Sequence, residues 1–174
     1  MPSLPDRHCL LDSSVLVNFL AVGRMDVLAD LPMQVFYVTP HVDDEISHHY
    51  PQQRSRLSAA LENGSLRPTR IEGVELVIFT KLVGLNLGYG EAAAIAGAFC
   101  RGCSVGLDDR VAQRRARELS PDLPIVTTKD LLLDAIACGT LTVKQADTIK
   151  GDLETLYRFR MPGFGSFAEL LSDN

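Results

Sequence analysis

Four short apolar stretches alternate with longer segments of helical character, and this alternation limits the folds open to the chain more than any other feature. The stretches are HCLLD (residues 8–12), QVFYVT (34–39), CSVGLDD (103–109) and LPIVTT (123–128). They are rich in β-branched, leucine and aromatic side chains, so they read as buried strands. Strands separated by helices indicate right-handed βαβ crossovers and a parallel sheet covered on both faces. The chain of 174 residues, 46% hydrophobic, is of ordinary size and composition for one domain with one core.

The intervening segments carry helix signals. SVLVNFLAVGRMDVLADL (14–31) reads as helix with Gly23 as its weak point. Pro40 suits the first position of a helix running to Pro51. Residues 52–64 are amphipathic and end at Gly64. SLRPTRI (65–71) reads as a short edge strand, because Pro68 cannot serve a central ladder. Residues 73–84 lean to helix. GYGEAAAIAGAFCRG (88–102) is an alanine-rich helix closed by Gly102. Helices over 110–120, 129–139 and 142–159 follow, the last with an expected break near Gly151; a turn and a terminal stub complete the chain.

Acidic residues gather where the strands end. Asp12 closes the first strand, Asp43, Asp44 and Glu45 follow the second, and Asp108 and Asp109 close the third. Glu91 lies in the first turn of the alanine-rich helix. Each has a structural alternative as a helix cap or a partner of a helix dipole. In a parallel sheet, however, the carboxyl ends of the strands share one edge. Asp12, Glu45 and Asp108 are therefore expected to converge there, with Glu91 joining from its helix. Crowded carboxylates repel unless a cation lies between them, and oxygen-only ligands suit Mg²⁺ or Mn²⁺.

The motifs LLDSSVLVNFL, VTPHVDDEI, GYGEAAAIAGAF and VGLDDRVAQRRARELS resemble the successive acidic motifs of the PIN-domain ribonucleases, a superfamily that includes the VapC-like toxins. The resemblance spans residues 8–140. It implies a three-layer α/β/α sandwich around a mostly parallel sheet of four or five strands, within a single domain covering 1–174, with residues 141–174 as a C-terminal helical extension. It matches the family's acids to Asp12, Glu45, Glu91 and Asp108 as catalytic groups, with Asp12, Glu91, Asp108 and Asp109 toward metal. It implies that Ser14 and Asn18, with Arg110 and Arg114, face the substrate. The glutamate at 91 followed by the aspartate pair looks like a bacterial or archaeal subgroup, since the toxin subgroup carries Asp in both later positions. The implied activity is Mg²⁺- or Mn²⁺-dependent cleavage of RNA to 5′-phosphate and 3′-hydroxyl ends. The implied partners are RNA, an antitoxin protein and a second copy of the chain. The alternative is a PIN-like module that binds RNA or protein with little or no cleavage.

Charge and the remaining motifs narrow the reading. A formal charge of −5 excludes gripping nucleic acid by bulk charge alone, but not local binding. Arg110, Arg114 and Arg117 share one helix face beside Asp108 and are candidates for holding phosphates, with ion pairs to Glu118 and neighbours as the alternative. Lys129, after VTT, is a candidate to reach the same edge, with a plain surface residue as the favoured alternative. His41, Glu45 and His49 also share a helix face; with no zinc-hydrolase motif in the chain, they read as ordinary helix residues. Cys9, Cys100, Cys103 and Cys138 read as reduced thiols packed as small hydrophobes. No apolar run is long enough to span a bilayer, and no secretory signal is evident, so the expected compartment is the cytoplasm. A phosphorelay receiver would place its acidic pair earlier. A haloacid-dehalogenase-like phosphatase would need Asp where Ser14 stands.

Overall fold

The computed structural model describes residues 7–172. Residues 1–6, most of the stretch MPSLPDRH that bears on a secretory signal, and the last two of the terminal stub lie outside them. Five strands form one sheet: β1 (Arg7–Leu11), β2 (Gln34–Val38), β3 (Arg67–Pro68), β4 (Ser104–Gly106) and β5 (Ile125–Val126). Their order is β3-β2-β1-β4-β5, and every pairing is parallel. Pro68 lies in the edge strand, where its missing N–H is harmless.

The strand order makes β1 a switch point. From β1 the chain builds outward through β2 to β3, then returns across the sheet to β4 and β5. Right-handed crossovers in opposite directions place their helices on opposite faces. The period-two alternation of β1 shows the result, since Cys9 and Leu11 enter one apolar core and Leu10 the other. The first core takes side chains from α1 (Ser13–Ala21), α2 (Met25–Ala29), α3 (Pro40–His49) and α4 (Arg54–Glu62). It also takes them from α8 (Thr128–Ala137), α9 (Val143–Leu156) and α10 (Phe167–Ser172). The second core lies under α5 (Val74–Gly84), α6 (Tyr89–Arg101) and α7 (Arg110–Leu119).

One expectation needs correction. The helix over 142–159 is not broken at Gly151; α9 runs unbroken from Val143 to Leu156. One glycine costs a helix only about 1 kcal/mol, and the packing of Ala146, Ile149 and Leu153 into the core outweighs that. At Gly23 the helix does end: φ is +66°, and α1 and α2 are separate. Residues beyond 140 contribute side chains to the first core, Phe167 among them fully buried.

The small residues of α6 seat it directly on the sheet. Every residue from Ala92 to Ala98 is buried. A Cβ at Gly97 would come within 2.6 Å of Leu10 Cδ2, so only glycine permits this approach. That close seating carries Gly90 and Glu91, at the start of α6, to the carboxyl edge of β1.

Candidate functional site

Asp12 follows β1 directly. Its N–H donates to the Gly106 carbonyl of neighbouring β4 at 3.0 Å, which stitches the ends of the two strands together. It is the N-cap of α1, and its Oδ2 accepts the Ser14 N–H at 3.0 Å. The capping reading is therefore correct, but it accounts for only one oxygen. Oδ1 is buried with no hydrogen-bond partner, in a side chain only 1% exposed. A buried carboxylate oxygen without a donor is costly. Burial pushes the Asp12 carboxyl above its ordinary range, and Glu45 adds repulsion.

Glu45 arrives from α3, one turn beyond Val42, which anchors that helix in the core. The position a Cβ at Gly90 would occupy is 2.5 Å from Glu45 Oε2 and 3.2 Å from Asp12 Oδ1. Asp12, Glu45 and the start of α6 thus share one small space, kept open because residue 90 has no side chain.

Glu91 is half-buried at the third position of α6, and its Oε2 accepts the Gly88 N–H at 3.0 Å. It too caps a helix, as its structural alternative proposed. Burial pushes its carboxyl up to about 7, with added repulsion from Asp12, Asp109 and Glu45.

Asp108 follows β4, on the other side of the β1–β4 switch point, where open parallel sheets bind ligands. Its Oδ1 accepts the Thr128 N–H at 2.9 Å; its Oδ2 accepts the Thr128 hydroxyl and, at 3.0 Å, Asn18 Nδ2. Its own N–H donates to Ser14 Oγ at 3.0 Å. Burial pushes its carboxyl up to about 6; the Thr128 and Asn18 donors oppose this, and Asp12 adds repulsion. Asp109 is exposed, and its Oδ1 caps α7 by accepting the Val111 and Ala112 N–H groups.

The expected carboxylates are thus brought to one edge. Ser14 and Asn18 also lie there; Ser14 Oγ accepts from Asp108 while its N–H donates to Asp12, and Asn18 Nδ2 donates to Asp108. Asn18 additionally donates to the Ser14 carbonyl and the Thr128 hydroxyl. Arg110 lines a cavity beside Asp108. Arg114 is turned to solvent and pairs with Glu118 at 3.8 Å, as the ion-pair alternative supposed. Among the described residues no three His, Cys, Asp or Glu side chains stand in ready metal-ligand geometry. His41 stacks on Phe79, centroids 5.0 Å apart, rather than facing a ligand. All four cysteines are free, and Cys9 is buried with its thiol pushed up to about 12, which makes it inert packing. Among the described residues no helix is long and apolar enough to cross a membrane.

Three contributors escaped the sequence. Thr128 holds Asp108 through both backbone and side chain; the threonine pair ending LPIVTT on the same sheet edge was its available signal. Gly90 keeps the space between Glu45 and Asp12 open, and nothing in GYGE marks that. Gln53 lines a cavity reaching Asp108 with its buried Oε1 unpartnered, and no sequence pattern marks it.

A cation fits this arrangement. The donors are all oxygen, one of them buried and orphaned, and the nearest groups are mutually repelling acids. That chemistry suits a hard divalent ion. A family model described as a PIN domain matches residues 8–161. No curated protein matches the chain.

Proposed function

From the premise that this chain belongs to the PIN-domain family, we propose that it is a divalent-metal-dependent endoribonuclease acting on single-stranded RNA. Proteins of this family are generally nucleases that use divalent metals. The observation that carries the reading is the orphaned Oδ1 of Asp12, buried among other acids. A buried carboxylate oxygen that has no donor and stands among other acids is explained by a ligand that brings positive charge.

Asp12 and Asp108 would hold Mg²⁺ or Mn²⁺ from the two sides of the switch point. Glu91, Glu45 and Asp109 would complete the anionic wall. When bound, the ion neutralises charge on the phosphate and polarises the attacking water. The chain's own part is positioning. Thr128 and Asn18 aim the Asp108 carboxylate, and Ser14 fixes its backbone. Gly90 leaves the room in which Glu45 and Asp12 meet.

The test is cleavage of a labelled single-stranded RNA with Mn²⁺, Mg²⁺ or EDTA, by the wild type and by Asp12→Asn. Metal-dependent cleavage by the wild type alone is the expected result. The loss in Asp12→Asn should exceed the ~10–100-fold that outer partners of a metal site typically cost. RNA binding without cleavage in any metal would instead assign the chain to the binding-module alternative. The toxin role extends the same reading: induced wild-type chain should arrest growth, Asp12→Asn should not, and a small protein that relieves the arrest would be the antitoxin.

The reading also includes a second copy of the chain. Helix α5 is as apolar in composition as the buried α1, yet of its residues only Glu75 and Leu82 are buried. Val74 and Val77 are each 66% exposed. A helix apolar on all sides is normally covered on all sides. Exposed Lys81 lies near one end of this face and exposed Glu72 just before the other. An antiparallel two-fold pairing of α5 with itself brings each Lys81 toward the second copy's Glu72, the self-complementarity an isologous dimer requires.

A further inference from the structure

Two cavities meet at Asp108. The first, about 570 Å³, includes Tyr50, Gln53, Asn18, Asp108, Tyr157 and Phe159 in its wall. The second, about 480 Å³, includes Asp108, Arg110, Lys129, Phe159 and Arg160. Both are of a size that takes small organic groups. The segment YRFR (157–160) borders both and alternates aromatic rings with guanidinium groups.

The two cavities differ in chemistry. The first offers flat rings and amides. The Tyr157 ring is 45% exposed yet fixed, because its hydroxyl donates to the Ala21 carbonyl at 2.9 Å. Gln53 lines the same wall and is itself buried, with no hydrogen-bond partner for its Oε1. The second cavity offers cations. Arg24, Arg101, Arg114, Arg115 and Lys150 are paired with carboxylates. The second cavity's Arg110, Lys129 and Arg160 are in no ion pair among the described residues, and neither is Arg158, which borders the first cavity. Lys129 is instead held over the Phe164 ring, 4.8 Å from its centroid. Charges left unpaired around a cavity beside an acidic cluster suit an anionic ligand brought to that cluster.

We propose that residues 157–160 form a strap that seats single-stranded RNA across Asp108, with a base against Tyr157 in the first cavity, its phosphate at Arg158 on the rim of that cavity, and further phosphates among Arg110, Lys129 and Arg160 in the second. This rests on the nuclease reading and names how the substrate is held. Stacking on a fixed ring tolerates any base, and phosphate contacts carry no sequence information, so the strap grips without reading sequence. A base must leave its helical stack to lie against that ring, and a base-paired strand keeps its bases stacked and paired. The strap therefore selects single strands.

Arg158 provides a clean test. Its backbone φ is +58°, a conformation that glycine adopts without strain. Arg158→Gly removes the charge without opposing the fold, so a lost function cannot be blamed on unfolding. RNA binding is measured by fluorescence anisotropy in EDTA, where no cleavage occurs, over a range of salt. Arg158→Gly and Arg160→Ala should each weaken binding, and each lost phosphate contact should flatten the log–log salt dependence by about 0.7. Tyr157→Leu should weaken binding about 10-fold and leave the salt slope unchanged. With metal, the variants should raise KM while kcat stays within about twofold. A double Arg158→Gly, Arg160→Ala variant that binds with wild-type affinity and slope would overturn the strap, while metal-dependent cleavage lost in Asp12→Asn would still uphold the nuclease. Equal affinity for a duplex or a free nucleotide would overturn the single-strand selection. Absence of both binding and cleavage in the wild type would remove the nuclease reading, and the strap with it.

Discussion

Asn18 Nδ2 donates to Asp108 Oδ2 across 3.0 Å, joining a residue on the first helix to one that follows it by ninety positions. The same amide reaches the Thr128 hydroxyl, which itself donates to Asp108. With the Thr128 N–H, three donors from two separate elements therefore fix one carboxylate. Hydrogen bonds to charged groups contribute about 1.5–3 kcal/mol each, and buried networks of this kind orient as well as stabilise.

Thr128→Val keeps the shape of the side chain and removes one donor. It should lower metal-dependent cleavage by about 10–100-fold, the range for an outer partner of a metal ligand. Thr128→Ser should restore most of it. The check is the metal concentration giving half-maximal cleavage, which should rise in the valine variant and return toward wild type in the serine variant. A variant that loses activity with unchanged metal dependence would assign Thr128 to packing alone.

Gly90→Ala tests the shared space between Glu45 and Asp12. Alanine favours a helix interior over glycine by about 1 kcal/mol. Its Cβ would nevertheless stand 2.5 Å from Glu45 Oε2 and 3.2 Å from Asp12 Oδ1. Cleavage should fall sharply while the melting temperature changes little or falls by a few degrees. In a Glu45→Ala background the closest obstacle is gone, so the same substitution should cost less stability. Thermal melts of the four proteins form a double-mutant cycle, and strict additivity would mean that Glu45 is not near residue 90 in solution.

Much of this arrangement was legible, for identifiable reasons. Apolar runs such as HCLL and QVFYV that alternate with helical segments point to a parallel sheet, and such a sheet brings its strand ends to one edge. Asp12, Asp108 and Glu45 followed from that alone. Ser14 and Asn18 were found, but their task was hidden, because a hydroxyl or amide gives no sign of whether it faces solvent or a carboxylate ninety residues away. Thr128 was obscured because threonine is at once a strand former and a helix cap. Arg114 shows the opposite limit: helical spacing placed it on a face with Arg110, but Glu118 one turn on claimed it. Phe159 and Arg160 border the cavities only because α9 runs straight through Gly151, which local propensity argued against.

The acidic cluster sets a sign for pH dependence in the metal-free protein. Glu91 is raised to about 7, Asp108 to about 6, and Asp12 is raised as well. Each binds its proton more tightly folded than unfolded, so its stabilising effect is full below the ordinary carboxylate range and is lost as pH rises through the folded value. Glu75 and Glu154 are lowered by Arg101 and Lys150, so their effect is lost only on further acidification. Between pH 5 and 8 the metal-free melting temperature should therefore fall. Asp12→Asn should flatten the decline, and saturating Mg²⁺ or Mn²⁺ should raise the curve most at pH 8. A melting temperature in EDTA that rises steadily from pH 5 to 8 would contradict the crowding of these groups.

The exposed face of α5 predicts the state of the chain in solution. Multi-angle light scattering should give twice the monomer mass of 19.0 kDa at micromolar concentration. Val77→Asp places a charge at the centre of the face and should produce monomers, without loss of fold, because residue 77 packs against nothing that buries it. Lys81→Glu sets like charges opposite one another in the antiparallel pairing and should also weaken the dimer. Lys81→Glu combined with Glu72→Lys restores opposite charges across the two-fold axis and should recover it. Recovery of the dimer in that double variant would fix the pairing as antiparallel, since a parallel arrangement places Lys81 near its own copy in either protein. A wild type that remains monomeric up to ~100 μM, well above the micromolar Kd of a modest interface, would mean that α5 is not covered by a second copy.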